Sequence, residues 1–600
     1  MTDRTKKAHV VDMRSKGPHQ APPRNPNEPK IKRPGFEVHD DGFWIAGQRQ
    51  KPGLYWHDWG RGNEPEPVDT WIAAPVRALA LTSGEDGHSA GLLLRFRDHF
   101  GRWREWSMPL HLLRGSGDEL RGQLLGMGFR CNVHQGKRLS EWLMQQHPRK
   151  RLIAATRTGW HPAGDGRCFV LPSRTIGSDE VRHQSEHPGV DDFRQAGTLE
   201  GWRDTVAAPC RGNPVLLLAV SAAFAGPLLK PAELRESGGH GLHLVGDSSQ
   251  GKTTALQAAA SVWGGPGFVR TWRATANGME ATAAALNDSA LILDEISECD
   301  PREIGAMVYA IANGHGKQRA RREGDSRQAA RWRVMALSTG ERSLSAHMAE
   351  GGNRIKAGQS VRLLDVPATR RSHGAFDQLH GHPHGGALAD AIKQAADANY
   401  GHAGPAFIRY LLDCDHDLPG LLKDTRERGG FDASEGLERR AAGVFALVAL
   451  AGELATEAGI TGWAKGEALD AATAAFDWWR AAKGTGQTEQ QQILDAVRDF
   501  LARHGDARFS SINGDHCPVP NRAGYWRDDP GGRVYLLHPA ALKEAGAGFD
   551  TIRILEALEA AGWIAEREKR NRRVRLRVHG QAAQTFYAVR PVDGGDDGAS

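Results

Sequence analysis

The sequence predicts a multidomain α/β protein built around a parallel sheet with a phosphate-binding loop. Three stretches predict it. "GLHLVGDSSQGKTTALQAAASVW", from Gly241, reads as strand, glycine-rich loop and helix. "SALILDEISE" is an apolar run ending in Asp294 and Glu295. "RWRVMALSTGE" is another, ending in Ser338 and Thr339. Strands alternating with helices from about Gly201 to Thr369 are the pattern of an α/β sheet.

The loop comes first. "GDSSQGKT", Gly246 to Thr253, fits the pattern G-x-x-x-x-G-K-[ST]. Glycines let the backbone curl so that successive N–H groups face phosphate oxygens. Gly246, Asp247, Ser248, Ser249, Gln250 and Gly251 would wrap the phosphates, with Thr254 just behind them. Lys252 would reach the β- and γ-phosphates, and the Thr253 hydroxyl would ligate magnesium. The following helix adds its positive N-terminal end. The implied cofactors are ATP and Mg2+.

The two later runs complete the chemistry. Asp294 would hold the magnesium through water, and Glu295 would polarise the attacking water. The C-terminal end of the next strand would lie beside the γ-phosphate, so Ser338 or Thr339 would orient that water. A glycine-rich turn and a pair of surface acids have the same local sequence, but the three elements in this order favour one site. "SLSAHMAEGGNRIKAG" reads as a helix breaking at glycine, with Arg354 at its end. Arg354 is either a finger for a neighbouring subunit's nucleotide or a cation meeting its own helix dipole. Arg362 lies within the next strand and is a poorer candidate, and Arg439 and Arg440 open a helix where a second sensor could sit.

The rest of the chain bounds the function. At 600 residues, about three to five domains are expected. Hydrophobic residues at 40% and charged residues at 25% are ordinary for a soluble protein. A net charge of +5 means that any nucleic-acid footprint is local. The six cysteines are far apart and never form CxxC, which argues against a disulfide framework or a cysteine zinc site and for a reducing cytoplasm. The N-terminus has no apolar core and is not a secretory signal. "VLLLAVSAAFAGPLL", from Val215, is too short to span a membrane and reads as a helix buried against the central sheet.

The boundaries follow from composition. Residues 1–35 read as a disordered basic arm, 36–200 as a strand-rich domain, and 201–369 as the loop-bearing core. Residues 370–483 read as helical, 484–590 as a winged-helix-like domain, and 591–600 as an acidic tail. His134, His161 and Asp165 have no metal-ligand spacing and read as structural or surface residues.

Two basic clusters stand out. Between the acidic and hydroxyl runs lies "ANGHGKQRARREGDSRQAARWRV", with "EGDS" as a hairpin tip. Alternate residues of a strand share a face, so Lys317, Arg319 and Arg321 would form one basic row, with Arg322 beside it. Such a row suits a phosphate backbone; the other reading is a solvated or subunit-interface loop. The second cluster, "EREKRNRRVRLRV", would contact duplex DNA on a wing, or would be an ordinary exposed hairpin.

The order of loop, acidic strand, hydroxyl strand, arginine, strand and helical region resembles the AAA+ ATPases. "GDSSQGKTTALQAAASVWG", "TWRATANGMEATAAALNDSALILDE", "IANGHGKQRARREG" and "WRVMALSTGERSLSAHM" resemble domain-of-unknown-function family 927, over roughly residues 40 to 370. That family occurs in plasmid, phage and genomic-island proteins often described as replicative helicases. The resemblance implies an AAA+ core with a helical lid, in an oligomeric ring motor similar to the MCM group, whose hairpin before the hydroxyl strand projects into the pore. The expectation is a cytoplasmic, ATP-dependent DNA translocase, the helicase of a mobile element. It would act as a hexamer on single-stranded and forked DNA, with any priming or initiator activity on another chain. The alternatives are an ATP-switched DNA-binding initiator or loader that does not unwind, and a remodeller of proteins.

Overall fold

In the computed structural model, the apolar runs around the loop become strands of one parallel sheet. The structure describes residues 29–189, 191–234, 239–316, 319–320, 326–327, 330–351, 362–433, 436–484, 489–514, 519–546, 548–568, 572–578 and 582–591. The chain forms two compact units, divided between Phe476 and Asp477.

Two sheets near the start of the first unit frame it. Strands β1 (Gly35–His39), β2 (Gly53–Trp59) and β3 (Pro67–Ala73) pair antiparallel in that order. Strands β4 (Val76–Ser83), β5 (Gly91–Arg97), β6 (Trp103–Pro109), β7 (Arg151–Ala155) and β8 (Val181–His183) form a second sheet, in the order β8–β7–β4–β5–β6. Leu92, Leu94, Phe96, Trp106 and Met108 pack there with Leu139, Trp142 and Leu143 of the helix Gly136–Met144.

The central sheet holds β9 (His240–Val245), β10 (Val269–Thr271), β11 (Ser289–Asp294), β12 (Val334–Gly340) and β13 (Leu363–Pro367). Its order is β10–β11–β12–β9–β13, and every pair is parallel. β9, β11 and β12 are buried along nearly their whole length because both faces are covered, as parallel sheets require. One cover is α1 (Pro214–Ala225), which lies against β11 and β12 with Val215 to Ala225 all buried. A helix apolar all round can only be stable inside. Among the described residues, no helix is long and apolar enough to cross a membrane. The other helices of this core are α2 (Lys252–Ala260), α3 (Ala276–Ala285), α4 (Ile304–Asn313) and α5 (Leu344–Glu350).

Asp288 joins the strand-rich part to the core. Its buried carboxylate accepts from Arg333 Nε at 2.8 Å and from the Trp160 backbone N–H at 3.0 Å. Arg333 is therefore committed to a structural ion pair, although the sequence groups it with the basic cluster. Beyond β13 come five helices: Gly385–Ala398, Ala403–Asp413, Leu418–Arg428, Gly436–Glu457 and Glu467–Gly484. The fourth packs along α1.

The second unit begins within the helix Glu467–Gly484; next come the helix Glu489–His504 and the strand Phe509–Ser511, then a hairpin, Gly524–Asp529 with Gly532–Leu537. Helices Pro539–Ala545 and Thr551–Ala560 follow, then three short strands ending with Gln584–Val589. Val497, Phe500, Leu501, Ile554, Leu558 and Trp563 form its core. In the basic C-terminal cluster, Arg567 and Arg572 both bind Glu559, and Arg573 donates to the Tyr587 hydroxyl at 2.8 Å.

Candidate active site

The loop Gly246–Gly251 leaves β9 and runs directly into α2, so its N–H groups and the helix N-terminus sit at one edge of the sheet. The segment after β13 folds over this loop. The Asp247 N–H donates to the Thr369 hydroxyl at 3.2 Å, and the Ala375 N–H donates to the Gln250 carbonyl at 2.7 Å. This approach dictates both glycines. A Cβ on Gly246 would lie 2.0 Å from Thr369 Oγ1, and one on Gly251 would lie 2.6 Å from the Phe376 ring. Gly251 also has φ +95°, which suits glycine. Ser249 takes φ +58° without being glycine.

Lys252 folds along the loop. Its Nζ donates to the carbonyls of Gly246 at 2.7 Å and Asp247 at 2.5 Å. Burial lowers its pKa, while Glu295, Glu341, Asp247 and Asp294 oppose that shift. Thr254 is buried beneath it in the helix.

The acidic pair and two hydroxyls meet beside the lysine. Thr253 Oγ1 is 3.4 Å from Asp294 Oδ1, and the Thr339 hydroxyl donates to the same oxygen. Thr339 in turn accepts from the Glu295 N–H at 3.1 Å. Glu295 has φ +54°, a conformation that costs a non-glycine residue energy and collects at functional sites. Its carboxylate accepts from the Ser297 hydroxyl at 2.6 Å. Hydroxyl and carboxylate oxygens at Thr253 and Asp294 are the hard donor set that magnesium takes.

The two hydroxyls of β12 point to opposite faces, as neighbours on a strand must. Ser338 faces away from the acidic pair, fully buried. Its oxygen accepts from Trp272 Nε1 at 2.8 Å and lies 3.0 Å from His243 Nδ1. The other ring nitrogen of His243 is 3.0 Å from the Arg342 carbonyl. Ser338 thus belongs to a packing network and Thr339 to the acidic pair.

Other sequence candidates fall elsewhere. Arg354, Lys317, Arg321 and Arg322 lie outside the described residues. The backbone of Arg319 and Ala320 is described and pairs antiparallel with Ser326 and Arg327, so a hairpin does stand between α4 and β12. His315 bridges to Arg331 at its base. Arg362 and Arg440 act on His240, at the far end of β9 from the loop. That is about 16 Å of strand away. Sequence reasoning missed Thr369 and Phe376, which no motif marks, and Glu341, which ends the third quoted run.

A cavity of about 1110 Å3 opens between the second sheet and the end of α3. Arg104, Arg157, Arg174, Arg182 and Arg331 line it together with Trp103. Arg331 connects it to the base of the hairpin.

Residues 47–331, which include the loop and the acidic pair, match the model of the domain of unknown function DUF927. Its model stops at Arg331, just before β12, so Thr339 and the segment that covers the loop lie beyond it. Comparison with curated proteins gives no match. Among solved structures, the SCCmec type IV Cch active helicase is similar, with a TM-score of 0.63 at 18% identity. The likeness covers 94% of this chain and 98% of that one, and at this identity it speaks to a shared fold.

Proposed function

We propose that this protein is an ATP-driven DNA translocase of AAA+ type, the helicase of a plasmid, phage or genomic island. The observation that carries the reading is the convergence of Lys252, Thr253, Asp294, Glu295 and Thr339 at one edge of a parallel sheet. One strand, β12, separates the loop strand from the acidic strand. Two strand intervals are about 9.6 Å, room for a γ-phosphate and a water between Lys252 and Glu295. The proton of that water passes to the Glu295 carboxylate as its oxygen attacks the γ-phosphorus and the β–γ bridging bond breaks. Lys252 and the loop N–H groups stabilise the charge on the phosphates. Thr253 and Asp294 would hold magnesium, which neutralises phosphate charge when bound.

The hairpin supplies the link to DNA. It leaves the N-terminal end of β12, whereas Thr339 sits near the C-terminal end, about 16 Å along the same strand. A strand would therefore join the γ-phosphate side to the hairpin, the stretch of sequence that carries Lys317, Arg319, Arg321 and Arg322. The arginine-lined cavity beside the hairpin base adds charge and an aromatic ring, which suit single-stranded nucleic acid. The fold likeness to an active helicase and the match to the DUF927 model support the same reading. A homo-hexameric ring would let Arg354 serve a neighbour's nucleotide, and the second unit, as a winged-helix-like domain, would meet duplex DNA. A cytoplasmic location and a separate priming protein complete the proposal.

The test is strand displacement on forked DNA with ATP and magnesium. Unwinding is expected from the wild type, and Lys252→Ala should lose both hydrolysis and unwinding. Hydrolysis without displacement by the wild type would favour an ATP-switched initiator or loader. Wild-type turnover in Lys252→Ala would overturn the phosphate site itself.

A further inference from the structure

The three-stranded sheet at the start of the first unit carries a second cluster of chemistry. Its register pairs Gly35 with His57, Glu37 with Tyr55, His39 with Gly53, and His57 with Asp69. Paired residues share a face, so Glu37, His39, Tyr55, His57 and Asp69 all stand on one side.

The rings are held in place. His39 stacks on Phe43 with centroids 3.6 Å apart, and His57 lies parallel to Tyr55 at 5.6 Å. His57 is fully buried, and its Nδ1 is 2.6 Å from an Asp69 carboxylate oxygen. Arg33 binds the same carboxylate. With Nδ1 donating to Asp69, the Nε2 lone pair of His57 is free to accept or ligate, the usual arrangement behind a metal-bound histidine. His57 Nε2 and His39 Nε2 are 3.3 Å apart. The ligand atoms of Glu37, His39 and His57 all lie within 4.8 Å of one another.

We propose that Glu37, His39 and His57 bind one divalent cation of the zinc class, with Asp69 orienting His57 from behind. Two nitrogens about 2.0–2.1 Å from a tetrahedral zinc are about 3.3–3.4 Å apart, the separation seen here. Two imidazoles and one carboxylate are borderline donors that suit zinc, cobalt or nickel better than magnesium. Three protein ligands leave one position to water. The site uses β1 and β2 and none of the nucleotide residues, so its role is to fasten β1 to the sheet.

The test uses the full chain without a histidine tag, loaded with zinc sulfate and freed of excess metal. About one equivalent of zinc should remain on the wild type by elemental analysis. Cobalt loading should give visible d–d absorption, and chelation with EDTA should lower the melting temperature. Glu37→Gln and His39→Phe are the chosen variants, because neither position is fully buried and phenylalanine keeps the stack on Phe43. Each should lose the retained equivalent and the cobalt band, melt the same with and without EDTA, and hydrolyse ATP as the wild type does. A wild type that retains no zinc overturns the proposal and makes the pair a plain imidazole hydrogen bond. Variants that keep the wild-type zinc content overturn it as well, because the metal then sits elsewhere.

Discussion

The two hydroxyls of β12 give a sharp test, because adjacent residues should fail in opposite ways. Thr339→Val keeps the volume and removes the hydroxyl. Asp294 then loses a donor and the Glu295 N–H loses its acceptor. A hydrogen bond to a charged group contributes about 1.5–3 kcal/mol. If that loss falls on the transition state, at about 1.4 kcal/mol per factor of ten, kcat drops about 10- to 150-fold. Thr339→Ser restores the hydroxyl and should recover most of the rate.

Ser338→Ala should behave differently. It removes the acceptor of Trp272 Nε1 and the partner of His243 Nδ1, both buried. A buried polar group left without its partner costs about 1–3 kcal/mol, so the melting temperature should fall by several degrees. Turnover per folded molecule should stay within about twofold, since Ser338 touches none of the reacting groups. Steady-state ATPase rates normalised to folded protein, with melting curves alongside, separate the two effects. The reasoning is refuted if Thr339→Val turns over normally, or if Ser338→Ala slows chemistry as much while remaining folded.

Glu295→Gln should bind ATP but trap it, because Asp294 still serves magnesium while no carboxylate takes the water's proton; nucleotide retention on a filter should rise as turnover falls. Lys317→Ala, Arg319→Ala and Arg321→Ala together should spare basal hydrolysis and abolish stimulation and unwinding. Their loss should also flatten the salt dependence of single-strand binding, by about 0.7 in slope per lost contact. Burial holds the pKa values of His183 and His240 down to about 4. The unfolded chain protonates them near 6.5, so their stability contribution is present above that pH and is lost as pH falls toward 4. At pH 5 each such histidine costs about 2 kcal/mol, and denaturant melts of His240→Asn should lose less stability between pH 7.5 and 5 than the wild type.

Much of the core was legible because its signals are local. A loop that must bare its N–H groups needs glycine at fixed places, and Gly246, Gly251 and Lys252 announce it within eight residues. Strands buried on both faces read as unbroken apolar runs, so β11 and β12 were visible, and so was α1. The trio Glu37, His39 and His57 was not legible. Two members lie on β1 and one on β2, and only the antiparallel register brings them together. Thr369 and Phe376 escaped for a related reason, since a loop folding back on another loop leaves no period in the sequence.

Ser338 and Thr339 show where the local signal ends. On a half-buried strand, polar and apolar residues alternate, and the alternation says which face each side chain takes. β12 is buried at every position from Val334 to Gly340, so it carries no alternation. Two hydroxyls at its end are then equivalent in sequence, and one meets the acidic pair while the other faces the packing. The parity is set by the neighbours. Trp272 follows β10 by one residue and His243 lies within β9, and together they claim Ser338 from one side. Asp294 at the end of β11 claims Thr339 from the other. The residue that meets the acidic pair is therefore chosen by the partners of its neighbour, which is why exchanging the two hydroxyls should cost both stability and rate.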